Sequence, residues 1–394
     1  MIYLKEFQRD GRPLLSVVDK ENDNPRSGSC FQIYRSLRRP RVNQTPVIEP
    51  SSFPSKFSIR VEKGGEDGSV GYFLQSTHHD KSSLLTEFPV LGRRIISGQS
   101  RWGPNMILYG DFGYIPLFWE WTEHVLSCFE ARLRRCALYE AVYASLYSYS
   151  RDIHVVRAFC ESWCPTTNTL HTISGEMSIS LWDLHKLGGL PINGKVYDET
   201  IPYLQAFEHR DKQNLRTMPS SCKFLFAAFR HLEKMPIYEK GISAKAWIDF
   251  WCKKKLIHNS LMRCRPRSST PTRTQNPSGR IQPQDPCWSR EELEVFKSLG
   301  VPKERRDSTY LAAYLSCWLC VFALPETGEK FIRPGTFETA SLMASGTIFS
   351  LAVPVLASIY HGLNGLTTAT KPSHSRSFFP WHYLHGWLAH YFKT

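Results

Sequence analysis

Residues 158–199 read AFCESWCPTTNTLHTISGEMSISLWDLHKLGGLPINGKVYDE, and nearly every step of this stretch carries local structural information. Gly175, between Asn168-Thr169-Leu170-His171-Thr172 and Glu176-Met177-Ser178-Ile179-Ser180, predicts the tip of a short β-hairpin. Ser180 then opens a helix: its hydroxyl can accept from the Asp183 backbone N–H, and Asp183 returns a carboxylate to the same electropositive end. Leu181, Leu184 and Leu187 share one face, and the helix stops at Gly188-Gly189, ahead of Leu190-Pro191, because glycine adopts the left-handed cap without strain. The pattern places hairpin 169–179 against this helix, with Trp182 or Leu184 buried between helices from both halves of the chain.

The stretch contains W-C-P-x-T-x-T-x-H, formed by Trp163, Cys164, Pro165, Thr167, Thr169 and His171. It continues with Gly175-Glu176 and S-L-W-D-L around Trp182-Asp183, then with Gly189, Leu190, Pro191 and Gly194 as G-L-P-I-x-G. Together these motifs resemble the plant mobile domain, also labelled aminotransferase-like, of plant transposons and maintenance-of-meristems-like host proteins. Phe118 to Glu123 and Leu138 to Ser145 are similar to the family's upstream helices. Tyr310 to Cys320, then Ile332-Arg333-Pro334-Gly335, Ser350 to Tyr360 and Gly386 to Phe392 follow the family order. The resemblance covers residues 106–394, and relatives continue past Tyr391-Phe392, which implies a fragment.

Length and composition agree with a globular body: 394 residues, 42% hydrophobic and 13% aromatic, can bury a sizeable core. Eleven cysteines without a repeating frame point to a reducing compartment. Neither a signal peptide nor a spanning segment is expected, since Gly346 and Pro354 interrupt the apolar stretch 340–360, which predicts a buried helix pair. Apolar residues at three- and four-residue steps predict helices over 119–133, 138–147, 152–159, 222–232 and 244–251. Ser289 and Glu292 form a capping box for a further helix with Leu293, Phe296 and Leu299 on its apolar side, ended by Gly300 and Pro302. Helices over 309–322 and 355–361 complete a mainly α fold with a small β-hairpin.

The net charge of +13 concentrates between Asp249 and Asp285, where no acidic residue accompanies Lys253, Lys254, Lys255, Arg263, Arg265, Arg267, Arg273 and Arg280. From Arg265 the composition is Pro, Ser, Thr, Gln, Asn and Gly, which cannot bury enough apolar surface to order itself. The expected organisation is an N-terminal arm over 1–105, largely disordered, followed by the domain over 106–394. That domain divides into a first half, 106–262, a basic linker, 263–288, and a second half, 289–394. A weaker basic group, Arg35, Arg38, Arg39 and Arg41, lies in the arm.

Catalytic and metal readings compare poorly with structural ones. Cys160 and Cys164 with His154 and His171 have the right ligand chemistry for zinc, but the spacing is not that of a knuckle and core packing is favoured. Cys317 and Cys320 lie inside an apolar helix with no second pair. Asp183 and His185, two apart, point to different helix faces, so capping explains Asp183 better than acid/base chemistry. Glu176 fits a strand-edge charge, and His78-His79-Asp80 fits a solvated turn. The expectation is therefore no catalytic residue, no metal, no cofactor and no small-molecule substrate. Pyridoxal phosphate needs a Schiff-base lysine and a phosphate cradle, and neither is identifiable.

The resemblance implies a non-catalytic nuclear interaction module linked to meristem maintenance, gene expression and transposon silencing, with nuclear proteins, among them a phosphatase-like protein, as partners. The alternative is a transposon-encoded accessory protein that binds nucleic acid without sequence preference through the basic linker.

Overall fold

The computed structural model describes residues 4–5, 57–64, 69–76, 91–103, 105–113, 115–149, 152–172, 175–203, 218–234, 241–252, 288–326 and 330–392. Helices dominate, as the periodicity predicts. In chain order the helices before residue 253 are α1 (Leu91–Ile96), α2 (Phe118–Cys128), α3 (Glu130–Arg135), α4 (Tyr139–Ala144), α5 (Ile153–Ser162), α6 (Leu181–Gly188), α7 (Ser220–Glu233) and α8 (Ala244–Trp251). Beyond residue 287 come α9 (Arg290–Ser298), α10 (Arg306–Trp318), α11 (Thr336–Ala344), α12 (Ala352–Thr368) and α13 (Trp381–Tyr391). Strands β1 (Leu4–Lys5) and β4 (Ser148–Tyr149) pair antiparallel, as do β2 (Phe57–Gly64) and β3 (Ser69–Ser76). A three-stranded antiparallel sheet is made by β5 (Trp163–Cys164), β6 (Thr169–Thr172) and β7 (Gly175–Met177).

Several expectations are corrected by packing. Within the expected arm, 1–105, β2 and β3 pair, and Leu91 and Ile95 of α1 are buried in the main core. The helix expected over 119–133 breaks at Phe129, which leaves helical dihedrals at φ −120°, ψ 20°. Its ring packs against Trp288 and Tyr310, and that contact outweighs local propensity. Gly175 is not the hairpin tip; it is the first residue of β7 and pairs with Thr172. On α9 the capping box of Ser289 and Glu292 is present, yet the buried residues are Glu292, Val295 and Phe296, while Leu293 is 37% exposed. The expected 309–322 helix starts at Arg306 and passes into a π-helical turn over Leu319–Ala323. The helix expected over 355–361 runs on to Thr368 through Gly362, where the Phe379 ring occupies the space a Cβ would need.

The stretch 340–360 resolves into α11 and α12, the helix pair predicted. Among the described residues, no helix is long and apolar enough to cross a membrane.

One hydrophobic core joins segments from both sides of residues 253–287. The Trp247 indole N–H donates to the Ala313 carbonyl at 2.9 Å, and the Tyr314 hydroxyl donates to Thr122 Oγ1 at 2.9 Å, both fully buried. Trp251 packs edge-on against Tyr310 and tilted against Phe296. Such aromatic contacts bury roughly 150–250 Å² per ring and dominate core energetics.

Candidate functional site

The motif stretch forms a brace between the two halves, built from local turns upward. Ser180 Oγ accepts from the Asp183 N–H at 3.2 Å, and Asp183 Oδ2 accepts from the Ser180 N–H at 2.8 Å, the reciprocal box the sequence predicts. Asp183 Oδ1 also accepts from the Tyr391 hydroxyl at 2.8 Å, which ties α6 to α13. Next to this carboxylate, burial and the hydrogen bond push the Tyr391 phenol up to about 12. Leu184 is 2% exposed, whereas Trp182 is 58% exposed with the Lys186 ammonium 4.6 Å from its ring centroid, so of these two Leu184 is the core residue, with Leu181 and Leu187 packed partly buried beside it. His185 faces away from Asp183, and its Nδ1 lies 2.9 Å from the Leu190 carbonyl.

Gly189 takes φ +67°, and a Cβ there would sit 2.7 Å from the Ala141 nitrogen of α4. The chain then runs as a strap over the second half. Pro191 O accepts from the Ala352 N–H at 3.0 Å, and Lys195 exchanges backbone hydrogen bonds with Ile348 and Ser350, each at 2.9 Å. Gly194, at φ +139°, is required because a Cβ would lie 2.6 Å from the Ile348 carbonyl oxygen.

At the strap's end Glu199 receives Arg333 through two bonds: Nε donates to Oε2 at 2.8 Å and Nη2 donates to Oε1 at 2.6 Å. The Tyr197 hydroxyl donates to the same carboxylate at 2.6 Å. Burial alone would lower the Arg333 pKa, but Cys320 and the Glu199 carboxylate raise it, so the guanidinium stays charged. Gly335 lies against Glu199, where a Cβ would approach to 3.1 Å. The Arg333-Pro334-Gly335 block is thus the second-half receptor for the first-half motif.

Upstream, the Trp163 indole N–H donates to Asn364 Oδ1 at 2.8 Å, and the Asn364 amide donates to Asn168 Oδ1 at 2.7 Å. The Tyr360 hydroxyl donates to the Ile179 carbonyl at 2.6 Å. Cys164 and Leu190 are buried, and Pro165 is partly buried. Thr167, Thr169 and Glu176 form an exposed polar ladder, with Thr169 Oγ1 donating to Glu176 Oε2 at 2.8 Å. His171 pairs in register with Glu176.

Cys160 is buried, and burial pushes its thiol up, which opposes the thiolate a metal needs. Cys317 and Cys320 are likewise core thiols raised by burial. No group of three or more metal-ligating side chains converges among the described residues. Lys253, Lys254, Lys255, Arg263, Arg265, Arg267, Arg273 and Arg280 lie outside the described residues, as do His78-His79-Asp80 and Arg35, Arg38, Arg39 and Arg41.

Sequence reading missed a second polar group at the start of α13. His385 Nε2 lies 3.9 Å from Asp111 Oδ1, both deeply buried, and Lys330 Nζ donates to the Gly113 carbonyl at 3.1 Å. Asp111 and Lys330 line a pocket of about 180 Å³ with Tyr109 and Gly110. The only local signal is the pair of histidines in W-H-Y-L-H-G-W, and periodicity cannot name their partners.

Fold and brace together define a mainly α domain in which a short β-sheet and a glycine-punctuated strap tie helices before residue 253 to helices after residue 287. The chain belongs to the plant mobile domain family, whose model matches residues 137–394. The match starts later than the expected 106, leaving the Phe118 to Glu123 block ahead of it. No curated protein and no solved structure matches the chain.

Proposed function

We propose that the chain is a non-catalytic interaction module that works in the nucleus, in meristem maintenance, gene expression and transposon silencing, beside a phosphatase-like partner protein. Family membership motivates this reading. The observation that carries it is where the motif's polar groups are engaged: Asp183 caps a helix and takes Tyr391, while Glu199 and Arg333 bind each other. Residues used in this way serve to present a surface, and exposed Trp182 with Lys186 over its ring belongs to that surface. The test is affinity recovery of the tagged chain from plant nuclei beside a Trp182→Ala variant, whose exposed position spares the fold. A shared set of nuclear proteins that includes a phosphatase-like chain, weakened by the variant, is the expected result. A cytoplasmic fusion protein, or transamination by the purified chain, refutes the reading.

A second reading rests on the concentration of eight cations without an acid between Asp249 and Asp285. In it the chain is a transposon-encoded accessory protein, and this segment contacts phosphates without reading bases. Changing Lys253, Lys254, Lys255, Arg263, Arg265 and Arg267 to Gln then flattens the salt dependence of binding by roughly one unit of slope per lost contact. Affinity indifferent to salt rejects it.

A further inference from the structure

Helix α13 places His382 and Tyr383 side by side in the seam with α6. The His382 ring stacks on Phe322 with centroids 4.0 Å apart, and Tyr383, Tyr149 and Phe112 surround it at 4.3, 5.6 and 6.1 Å. Neither of its ring nitrogens meets a hydrogen-bond partner among the described residues, nor does the Tyr383 hydroxyl or the Trp387 indole N–H. A neutral imidazole carries one donor and one acceptor, and burying either without a partner is costly. His382 is held neutral, because burial first, then the nearby His385 and Lys330, drive its pKa far down. Buried polar atoms that meet no partner among the described residues call for a ligand in this seam, and one water can serve His382 and Tyr383 together.

The same seam contains a cavity of about 10 Å³, lined in part by Tyr149, Asp183, His382, Tyr383, Gly386 and Trp387. That volume accommodates one water molecule and nothing larger. Gly188 shapes the wall: a Cβ there would lie 2.6 Å from the Tyr383 ring. Asp183 contributes an acceptor, since a carboxylate has about four lone-pair sites and its known donors are Ser180 and Tyr391.

We propose that this cavity is a binding site for a single ordered water, which bridges His382 and the Tyr383 hydroxyl of α13 to Asp183 of α6. Three protein partners match what a buried water ordinarily makes. The bridge joins the motif helix of the first half to the last helix of the second half through polar contacts neither could satisfy alone.

Tyr383→Phe tests this, because it deletes one oxygen and leaves the ring in place. If the seam is dry, removing a buried hydroxyl without a partner leaves stability unchanged or raises it. If water is bound, the variant strips it of a partner and the melting temperature falls, by on the order of 2 °C. A high-resolution crystal structure of the unaltered chain should show one water within hydrogen-bond distance of a His382 nitrogen and the Tyr383 oxygen. A dry cavity in that structure, or a Tyr383→Phe melting temperature equal to or above the parent's, overturns the proposal.

Discussion

Arg333→Met, Glu199→Gln and their combination test whether the strap is fastened at its end by charge. The two side chains are 17% and 18% exposed and share two short bonds. Hydrogen bonds to charged groups contribute about 1.5–3 kcal/mol each, and the pair sits near enough to solvent that the lower end applies. Arg333→Met should therefore cost about 3 kcal/mol, since it removes both bonds and leaves Glu199 with Tyr197 as a near donor. Glu199→Gln should cost about 2 kcal/mol because one acceptor oxygen survives. The pair contact to Glu326, at 3.4 Å and with that carboxylate largely exposed, adds little. In a double-mutant cycle by urea denaturation with unchanged m-value, the combined variant should cost about 2 kcal/mol less than the sum of the single ones. Additivity within about 0.5 kcal/mol would show that the two groups act independently and that backbone bonds alone hold the strap.

Leu184→Ala should lose about 2–4 kcal/mol, because the side chain is buried between α6 and helices of both halves and the cavity left behind closes only in part; a loss within error removes Leu184 from the core. Glu292 has its pKa raised to about 7, chiefly by burial, with hydrogen bonds from Ser289 and Tyr310 opposing the rise. An acid raised in the folded state binds more protons there than in the unfolded chain, so its contribution is complete below the unfolded value near 4.5 and is lost as pH rises through about 7. Stability of the parent relative to Glu292→Gln should accordingly fall across that window, by about 3 kcal/mol. Buried His124, lowered to about 4, works in the opposite direction between about 6.5 and 4 and is common to both proteins, so a flat difference curve would place Glu292 in a solvated site.

Features set by neighbours in the chain were legible in the residues themselves. Both capping boxes, Ser180 with Asp183 and Ser289 with Glu292, occur as read, because each is complete within four consecutive residues. Gly189 in the left-handed cap follows for the same reason. Legibility stops where a ring or charge must find a distant partner. The Phe129 break depends on Trp288 and Tyr310, and the choice of Leu184 over Trp182 depends on which side of α6 the second half covers.

By itself, then, the amino-acid order determined that the chain is mainly helical, where its capped helices begin, and which motifs mark the plant mobile domain. Helical period and cap chemistry act over a few residues, and those interactions are complete within the segment that carries them. Only the tertiary structure decided what the motif is for within the fold. Glu199 and Arg333 stand 134 positions apart, Asp183 and Tyr391 stand 208 apart, and no local pattern distinguishes such partners from other exposed charges and phenols. Their pairing follows from burial: once the shared core brings the halves together, a carboxylate at the seam must be met by the donor across it.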